Sequence, residues 1–167
     1  MSDHGPGDDL THTTSDGDVQ MVDVGSKPTT ARRAVARGEI RLTASTIAAI
    51  HADEVAKGDV LATARIGAIQ AVKHTWETIP LCHQIPITNV ETEFVVGDDR
   101  VELTVAVETT GTTGCEMEAL EGVTTGLNVV WDMVKAAEKD DDGSYPETAV
   151  TDVEVVSKTK RPIEGAP

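Results

Sequence analysis

Residues 87–109 read ITNVETEFVVGDDRVELTVAVET, and the predicted fold is built around this stretch. Apolar and polar residues alternate on both sides of Gly97-Asp98-Asp99, as they do in strands that bury one face. Glycine and aspartate are common where a chain reverses direction. The stretch therefore predicts a β-hairpin made of two antiparallel strands.

Helical patterns flank the hairpin on both sides. Before it, apolar residues recur at helical spacing from Ala62 to Trp76, with Asp59 as N-cap and Pro80 as the stop. Several residues of this helix are small and would let another backbone approach closely: Ala62, Ala64, Gly67, Ala68 and Ala71. After the hairpin, apolar residues at alternating steps of three and four predict a long helix from about Glu116 to Lys139.

Strand patterns lie outside the two helices. Residues 35–42 and 148–160 read as strands, and residues 44–54 contain a short helical piece. The order strand, helix, hairpin, helix, strand is the βαββαβ pattern of an α+β ferredoxin-like sandwich. Such a fold packs two long helices on one face of an antiparallel sheet and leaves the other face to be covered, often by another subunit.

The two ends of the chain differ in composition from its middle. Residues 1–18 are polar and acidic with Gly and Pro, which predicts a disordered N-terminal extension. Residues 161–167 are predicted to form a C-terminal tail. Because no internal repeat or change of composition interrupts residues 19–160, we predict a single domain there.

The chain is strongly acidic, with a formal net charge of −15 and only seven lysines. This charge fits general solubility, and it fits adaptation to high salt better, because screening reduces the self-repulsion of an acidic surface. It argues against nonspecific nucleic-acid binding, which needs a basic face. A small anionic ligand could still bind to a few local cations.

Apolar runs in the chain stay shorter than the roughly 18 residues of a membrane span, and the N-terminus does not read as a signal peptide. We therefore expect a cytoplasmic protein without a membrane partner. In that compartment Cys82 and Cys115 are not expected to form a disulfide, and their spacing is not a zinc signature.

Charged residues of the long helix could carry chemistry, although each also has a structural interpretation. Asp132 and Lys135 lie three apart on one face, a spacing that more often marks a solvent-exposed ion pair. Glu116 would fall on the apolar stripe, so either the helix begins after it or it has a partner. Together with Glu118 it could instead form a charged first turn favoured by the helix dipole.

The spacing of these residues constrains any site that uses them all. Glu118 and Asp132 are 14 residues apart, which is roughly 21 Å along a straight helix. One small substrate is not expected to touch both from the same chain. If both are functional, the helix is broken or the site combines two chains, which favours an oligomer with sites at subunit interfaces.

Other candidates lie outside the long helix. Lys57 precedes a predicted helix N-terminus and could bind an anion there, although a loop lysine is the more common case. Cys82 and His83 are adjacent, and on an extended segment they would point to opposite faces, so a nucleophile–base pair is not expected. Too few ligands accompany them for zinc. Four further cations are candidates, although each alone is more often a surface residue: Arg65, Lys73, Lys158 and Lys160.

Four stretches in this order are together far more specific than any single pattern. They are MVDVGSKPTTARRAVARGEIRL (21–42), KGDVLATARIGAIQAVKHTWETIPLCHQIPI (57–87), TTGCEMEALEGVTTGLNVVWDMVKA (112–136) and VSKTK (156–160). Through them, residues 20–160 resemble the MoaC family, the cyclic pyranopterin monophosphate synthases of molybdenum cofactor biosynthesis.

The resemblance implies a ferredoxin-like fold and a homohexamer, a trimer of dimers with active sites at the dimer interface. It implies a lyase that converts 3′,8-cyclo-7,8-dihydro-GTP to cyclic pyranopterin monophosphate and pyrophosphate. We expect no required cofactor and no protein-bound metal, although Mg²⁺ could accompany the triphosphate. The family's functional residues map onto Asp132 and Lys135 as the catalytic pair and onto Lys57, His83, Glu116, Glu118 and Lys158 as substrate-binding residues.

The implied chemistry suggests a role for each group. Rebuilding a purine as a pterin needs several proton transfers, which suit a Lys–Asp pair whose lysine pKa is lowered by burial or nearby cations. The other cations and His83 would stabilise charge on the phosphates, and the two glutamates would bind the guanine-derived ring. After Lys158 the sequence departs from the family pattern, so whether Lys158 or Lys160 serves the site stays open.

Two alternative functions are compatible with the same residues. One is a non-catalytic, nucleotide-binding oligomeric module, which would not depend on Asp132. The other is a Cys/His metallohydrolase that uses Cys82, His83 and the two glutamates, and it predicts stoichiometric zinc.

Overall fold

The computed structural model describes residues 17–163, in which strands and helices follow the predicted order. The elements are β1 (Thr30–Arg41), α1 (Ala44–His51), α2 (Val60–Thr78), β2 (Ile87–Val96), β3 (Arg100–Gly111), α3 (Glu116–Glu138) and β4 (Ala149–Arg161). All but the last two residues of the predicted disordered extension, and the last four residues of the predicted tail, lie outside the described range.

The four strands form one antiparallel sheet in the order β2-β3-β1-β4. The chain's first strand therefore lies in the centre of the sheet, and its last strand lies at an edge. Two register shifts in the β1–β4 pairing, next to Val35 and near Gly38, mark irregularities of this edge. The α+β ferredoxin-like fold predicted from the sequence is confirmed.

Helices α2 and α3 pack together through small residues. Ala64 and Ala68 of α2 are fully buried, and they face glycines of α3. A Cβ atom added at Gly126 would lie 3.1 Å from the Cβ of Ala68, and one added at Gly122 would lie 2.7 Å from Val72 Cγ2. The small residues of α2 thus allow the close approach that the sequence predicted.

The core between the helices and the sheet is aliphatic. Its largest fully buried side chains include Ile40, Leu103 and Leu127, surrounded by valines of β3 and α3. Only four residues of the chain are aromatic, so Val, Leu, Ile and Ala supply this apolar volume. Within residues 17–163, no helix combines the length and the apolar character needed to cross a lipid bilayer.

The opposite face of the sheet carries paired charges. Arg33 bridges Glu91 and Glu108 across three strands, at 3.0 and 3.3 Å. Further along β1, Arg37 lies 2.6 Å from Glu154, and Glu39 lies 3.0 Å from Arg100. Because directly opposed residues share one face of a sheet, these pairs form a charged surface that packs on no helix of the described chain.

Predicted and observed element bounds differ most at the start of β1 and at the end of α1. β1 begins at Thr30 rather than at residue 35, and α1 ends at His51 rather than at residue 54. β4 extends to Arg161, one residue beyond the predicted strand. Two adjacent arginines, Arg32 and Arg33, hide the alternation of apolar and polar residues at the start of β1. Both side chains have polar partners, although they lie on opposite faces of the strand. Arg32 donates to the carbonyl of Thr112 at 3.0 Å, and Arg33 makes the ion pairs just described.

Candidate active site

The predicted site residues fall into two clusters at opposite ends of α3. The N-terminal cluster comprises His83, Glu116, Glu118 and Lys158, and the C-terminal cluster comprises Lys57, Asp132 and Lys135. Helix α3 runs without a break from Glu116 to Glu138. The spacing of Glu118 and Asp132 allowed either a broken helix or a site made by two chains, and the unbroken α3 excludes the first. Within one chain the two clusters lie roughly 20 Å apart.

The C-terminal cluster is organised around the carboxylate of Asp132. Its Oδ1 accepts a hydrogen bond from Lys135 Nζ at 2.7 Å, and its Oδ2 accepts one from Lys57 Nζ at 2.8 Å. Lys57 reaches Asp132 from the turn before α2, where Gly58 adopts a φ of +101° and its N–H donates to Val55 O at 2.9 Å. All three charged groups stay accessible to solvent.

The two ammonium groups control the protonation of this cluster. Hydrogen bonds from Lys135 and Lys57 lower the pKa of Asp132 to about 2, and Asp132 in turn raises the pKa of Lys135. The sequence-based expectation of a lowered lysine pKa is therefore wrong for this chain. The reason is that Lys135 is exposed and contacts a carboxylate, which stabilises its charged form. The cluster presents a protonated lysine and an ionised aspartate.

The N-terminal cluster begins with an ion pair between the first residue of α3 and β4. Glu116 Oε1 lies 3.0 Å from Lys158 Nζ. Burial tends to raise the pKa of Glu116, but the hydrogen bond from Lys158, a backbone hydrogen bond and the charges of Lys158 and Arg32 together lower it. The sequence required either a later helix start or a partner for Glu116, and the structure provides the partner.

Glu118 is the buried carboxylate of this cluster, with 4% of its surface exposed. Burial raises its pKa to about 7, and the charge of Glu116 adds to the increase. Helical spacing placed Glu116 rather than Glu118 on the apolar stripe. Glu118 is nevertheless buried, and it lines a cavity together with residues 81–83, which no periodicity within α3 could have indicated.

Residues 81–83 and the start of α3 enclose a cavity of about 310 Å³. Cys82 and His83 both line it. Residues 82–86 have no regular strand structure, and the alternation rule for strands does not apply to them. Thr109 fixes this segment on the sheet by donating to Pro86 O at 2.6 Å.

The two cysteines are held as thiols. Burial and the neighbouring Glu118 raise the pKa of Cys82, and the same causes raise the pKa of Cys115 to about 11. Cys115 Sγ also donates to the carbonyl of Val107 at 3.3 Å. Both settings fit packing residues and disfavour a thiolate nucleophile. Within residues 17–163, no three His, Cys, Asp or Glu side chains are grouped to hold a metal ion.

Sequence reasoning missed two cations near the N-terminal cluster. Lys27 lines the cavity that contains His83, and Arg32 lines a second cavity of about 230 Å³ on the other side of Glu116. Lys158 and Lys160 both border this second cavity, because they lie opposite Ala34 and Arg32 in the sheet. For Arg32 the missing signal was the strand register. Two consecutive arginines do not show which of them faces the cavity until their neighbours on the adjacent strands are known.

Comparisons with known proteins agree on one family. The model of the MoaC family matches residues 21–161. A relative from Natronomonas pharaonis is 76% identical over 153 residues, which cover 92% of this chain and 96% of the relative. One from Halobacterium salinarum is 75% identical over 156 residues, or 93% and 96% of the two chains. Both are named probable cyclic pyranopterin monophosphate synthase.

A more distant relative comes from Methanothermobacter thermautotrophicus. It is 54% identical over 152 residues, which cover 91% of this chain and 95% of that protein. Its name is probable cyclic pyranopterin monophosphate synthase accessory protein. All three relatives match nearly the whole of their own length, so the likeness extends over both clusters of α3.

Proposed function

The chain belongs to the MoaC family, and from this membership we propose that it is a lyase, a cyclic pyranopterin monophosphate synthase of molybdenum cofactor biosynthesis. In this proposal it converts 3′,8-cyclo-7,8-dihydro-GTP to cyclic pyranopterin monophosphate and pyrophosphate. The observation that carries the proposal is 76% identity over 92% of the chain to a relative of that name. The charged clusters of α3 supply the groups that such chemistry needs.

The C-terminal cluster is proposed to perform the proton transfers. A protonated Lys135 held against ionised Asp132 can donate a proton to the substrate and recover it through the carboxylate. Lys57 shares the same carboxylate in the resting chain. A bound phosphate would compete with Asp132 for Lys57, so substrate binding would leave Asp132 free to accept a proton.

The N-terminal cluster is proposed to bind both parts of the substrate. Glu118 with a pKa of about 7 exists in both protonation states near neutral pH, so it can donate to a ring carbonyl or accept from a ring N–H. Ionised Glu116 accepts from ring N–H groups. Lys158 and His83 would stabilise the charge that develops as pyrophosphate leaves.

One complete site is proposed to combine clusters from two subunits. The clusters lie roughly 20 Å apart on one unbroken helix, which is too far for one small substrate to contact both sets of side chains. A two-fold arrangement would place the N-terminal cluster of one subunit against the C-terminal cluster of its partner. We propose that three such dimers form a homohexamer.

The proposed chemistry breaks and forms C–N bonds with the help of proton transfers and displaces pyrophosphate at phosphorus, and side chains can catalyse these steps without a required cofactor. Mg²⁺ would act only as a partner of the triphosphate. Activity measured with EDTA and with added Mg²⁺ tests this assignment. Activity lost with EDTA and restored by zinc alone would instead favour a zinc enzyme.

The acidic surface supports a further proposal, that the protein works in a cytoplasm of high salt. The net charge is −15, and two close relatives come from Natronomonas pharaonis and Halobacterium salinarum. Screening by salt reduces the repulsion among like charges. The melting temperature should therefore rise steadily between low and molar KCl, and a flat response would contradict the proposal.

Turnover of the cyclised GTP intermediate tests the main proposal directly. Purified protein is incubated with 3′,8-cyclo-7,8-dihydro-GTP, and both pyrophosphate and the pterin product are measured. The proposal expects equal amounts of the two products. Tight binding of the intermediate without either product would identify a non-catalytic nucleotide-binding module instead.

A further inference from the structure

Glu138, the last residue of α3, is a second buried carboxylate that the proposed chemistry does not use. It is 5% exposed. Its Oε1 accepts hydrogen bonds from Thr43 Oγ1 at 2.8 Å and from the Thr43 N–H at 3.1 Å, and its Oε2 accepts one from Thr148 Oγ1 at 2.6 Å. Thr43 begins α1 and Thr148 precedes β4, so Glu138 joins the ends of three elements.

The chain from Thr43 to Lys57 is connected by hydrogen bonds along its length. Thr43 caps α1 by accepting from the Thr46 N–H at 3.4 Å. At the other end of α1, Asp53 has a φ of 55°, its N–H donates to Ile50 O at 3.2 Å, and the Glu54 N–H donates to Ala49 O at 2.9 Å. These two bonds form a Schellman motif. The next turn, closed by the hydrogen bond from the Gly58 N–H to Val55 O, presents Lys57.

This segment is attached to α3 at both of its ends. Its start is bonded to Glu138, and its end is ion-paired through Lys57 with Asp132, six residues earlier on α3 and about 9 Å along the helix axis. Between the two attachments lies a mainly apolar cavity of about 230 Å³, lined among others by Ala49, Val55 and Met133.

We propose that Glu138 is a positioning residue for Lys57: by binding Thr43 it holds α1 against the end of α3, so that the following turn presents Lys57 to Asp132. The assignment of Lys57 to the site rests on the proposed function, and Glu138 deepens it. A buried carboxylate is costly without its donors, so displacement of Thr43 is opposed.

The protonation of Glu138 agrees with this role. Burial tends to raise its pKa, but hydrogen bonds from Thr148, Thr46 and Thr43 together lower it. Glu138 is thus ionised at neutral pH, and charge-assisted hydrogen bonds are stronger than neutral ones. Two of these donors are themselves buried, with Thr46 2% and Thr148 6% exposed.

Three variants separate positioning from simple stability. Glu138→Ala removes the attachment, Glu138→Gln keeps an acceptor for Thr43, and Thr148→Val removes only the bond from the β4 side. If Glu138→Ala does not fold, Glu138→Asp replaces it, because the shorter side chain withdraws the carboxylate from Thr43 and leaves the cap of α1 in place. The melting temperature of each variant is measured first, and all variants are then compared well below every unfolding transition.

Hydrogen exchange of residues 44–58 provides a readout that needs no catalysis. Local opening of α1 should make exchange at least about tenfold faster in Glu138→Ala, with partial recovery in Glu138→Gln. Thr148→Val should change the exchange rate of this segment by less than about twofold, when each variant is measured the same number of degrees below its own melting temperature. Equal acceleration in Glu138→Ala and Thr148→Val, or none in Glu138→Ala, overturns the proposal.

Catalysis provides the second readout. If Lys57 is misplaced, kcat/KM should fall about tenfold in Glu138→Ala and recover substantially in Glu138→Gln, with Thr148→Val close to wild type. Equal losses in Glu138→Ala and Thr148→Val would reduce Glu138 to a stability residue and overturn the proposal. If wild-type protein releases no pyrophosphate, the proposed function fails, and the exchange experiment still decides the role of Glu138.

Discussion

The two ends of α3 hold similar side chains in opposite electrostatic settings. At the N-terminal end Glu118 is buried, and its pKa rises to about 7. At the C-terminal end Asp132 is exposed between two lysines, and its pKa falls to about 2. One helix thus carries a carboxyl group that binds a proton near neutral pH and a carboxylate that does not, because burial and neighbouring charge differ between its ends.

The C-terminal end is expected to dominate catalysis. Lys135→Ala or Asp132→Asn should lower kcat by about 10²–10⁴-fold, the usual contribution of a positioned acid or base. The melting temperature should change little, because exposed ion pairs contribute little to stability. Steady-state release of pyrophosphate and thermal unfolding measure the two effects.

Lys139→Ala provides a matched control for Lys135→Ala. Lys139 is another lysine at this end of α3, and it lies 5.9 Å from the ring centre of Tyr145. Its removal should leave kcat close to wild type. A Lys135→Ala variant as active as Lys139→Ala would contradict the proposed proton donor.

The N-terminal end should dominate the pH dependence of stability. The raised pKa of Glu118 stabilises the fold below its unfolded pKa of 4.5, and this contribution is lost as pH rises through about 7. Glu118→Gln should lack this loss. Between pH 4.5 and pH 8 its free energy of unfolding should therefore rise by about 3 kcal/mol relative to that of wild type. Urea unfolding at several pH values measures the difference.

Glu116→Gln should behave in the opposite way. Because the pKa of Glu116 is lowered, its contribution is present above its unfolded pKa and is lost as pH falls through the folded pKa. The variant should therefore be less stable than wild type at neutral pH and similar to it in acid. If both glutamine variants shift stability in the same direction, the contrast between these two neighbours is wrong.

Lys158 should matter more than Lys160 for substrate binding. Lys158 contacts Glu116, whereas Lys160 borders the same cavity opposite Arg32. Lys158→Ala should raise KM about tenfold and Lys160→Ala by less than about threefold, since tenfold corresponds to one good ionic contact. The reverse order would assign the site to Lys160.

Mixed oligomers test whether the two ends meet across an interface. Glu118→Ala and Asp132→Ala subunits are each expected to be nearly inactive alone. After subunit exchange at equal amounts, about one quarter of the sites should combine two intact ends, if each site draws on two chains. No recovery after exchange verified by mass spectrometry would place each site within one subunit.

Local patterns were sufficient to predict most of the fold. The strands Ile87–Val96 and Arg100–Gly111 follow from alternation, and Asp59 caps α2 as its position indicated. The start of β1 was missed because Arg32 and Arg33 interrupt the alternation. The ion-pair partners of Arg33 lie on β2 and β3, and Arg32 pairs in register with Thr109 and Lys160, so only the sheet register identifies both as strand residues.

The site was predictable only where its contacts are local. Asp132 and Lys135 are three residues apart, and that spacing alone indicates their ion pair. Lys57 reaches Asp132 across 75 positions, and Lys158 reaches Glu116 across 42, so both contacts depend on topology. The family resemblance assigned these residues to one site, but the burial of Glu118 beside a cavity shared with residues 81–83 needed the three-dimensional arrangement.

The sheet order has a consequence for how the chain folds. β1 is one of the two inner strands, and its edge partner β4 comes last among the described elements; Arg37 and Glu154 are 117 positions apart. Such distant pairings form slowly because a long loop must close first. Lys158 can reach Glu116 only when β4 has paired with β1, so this ion pair of the N-terminal cluster depends on a distant pairing. A chain truncated before β4 would expose the backbone edge of β1 to other chains.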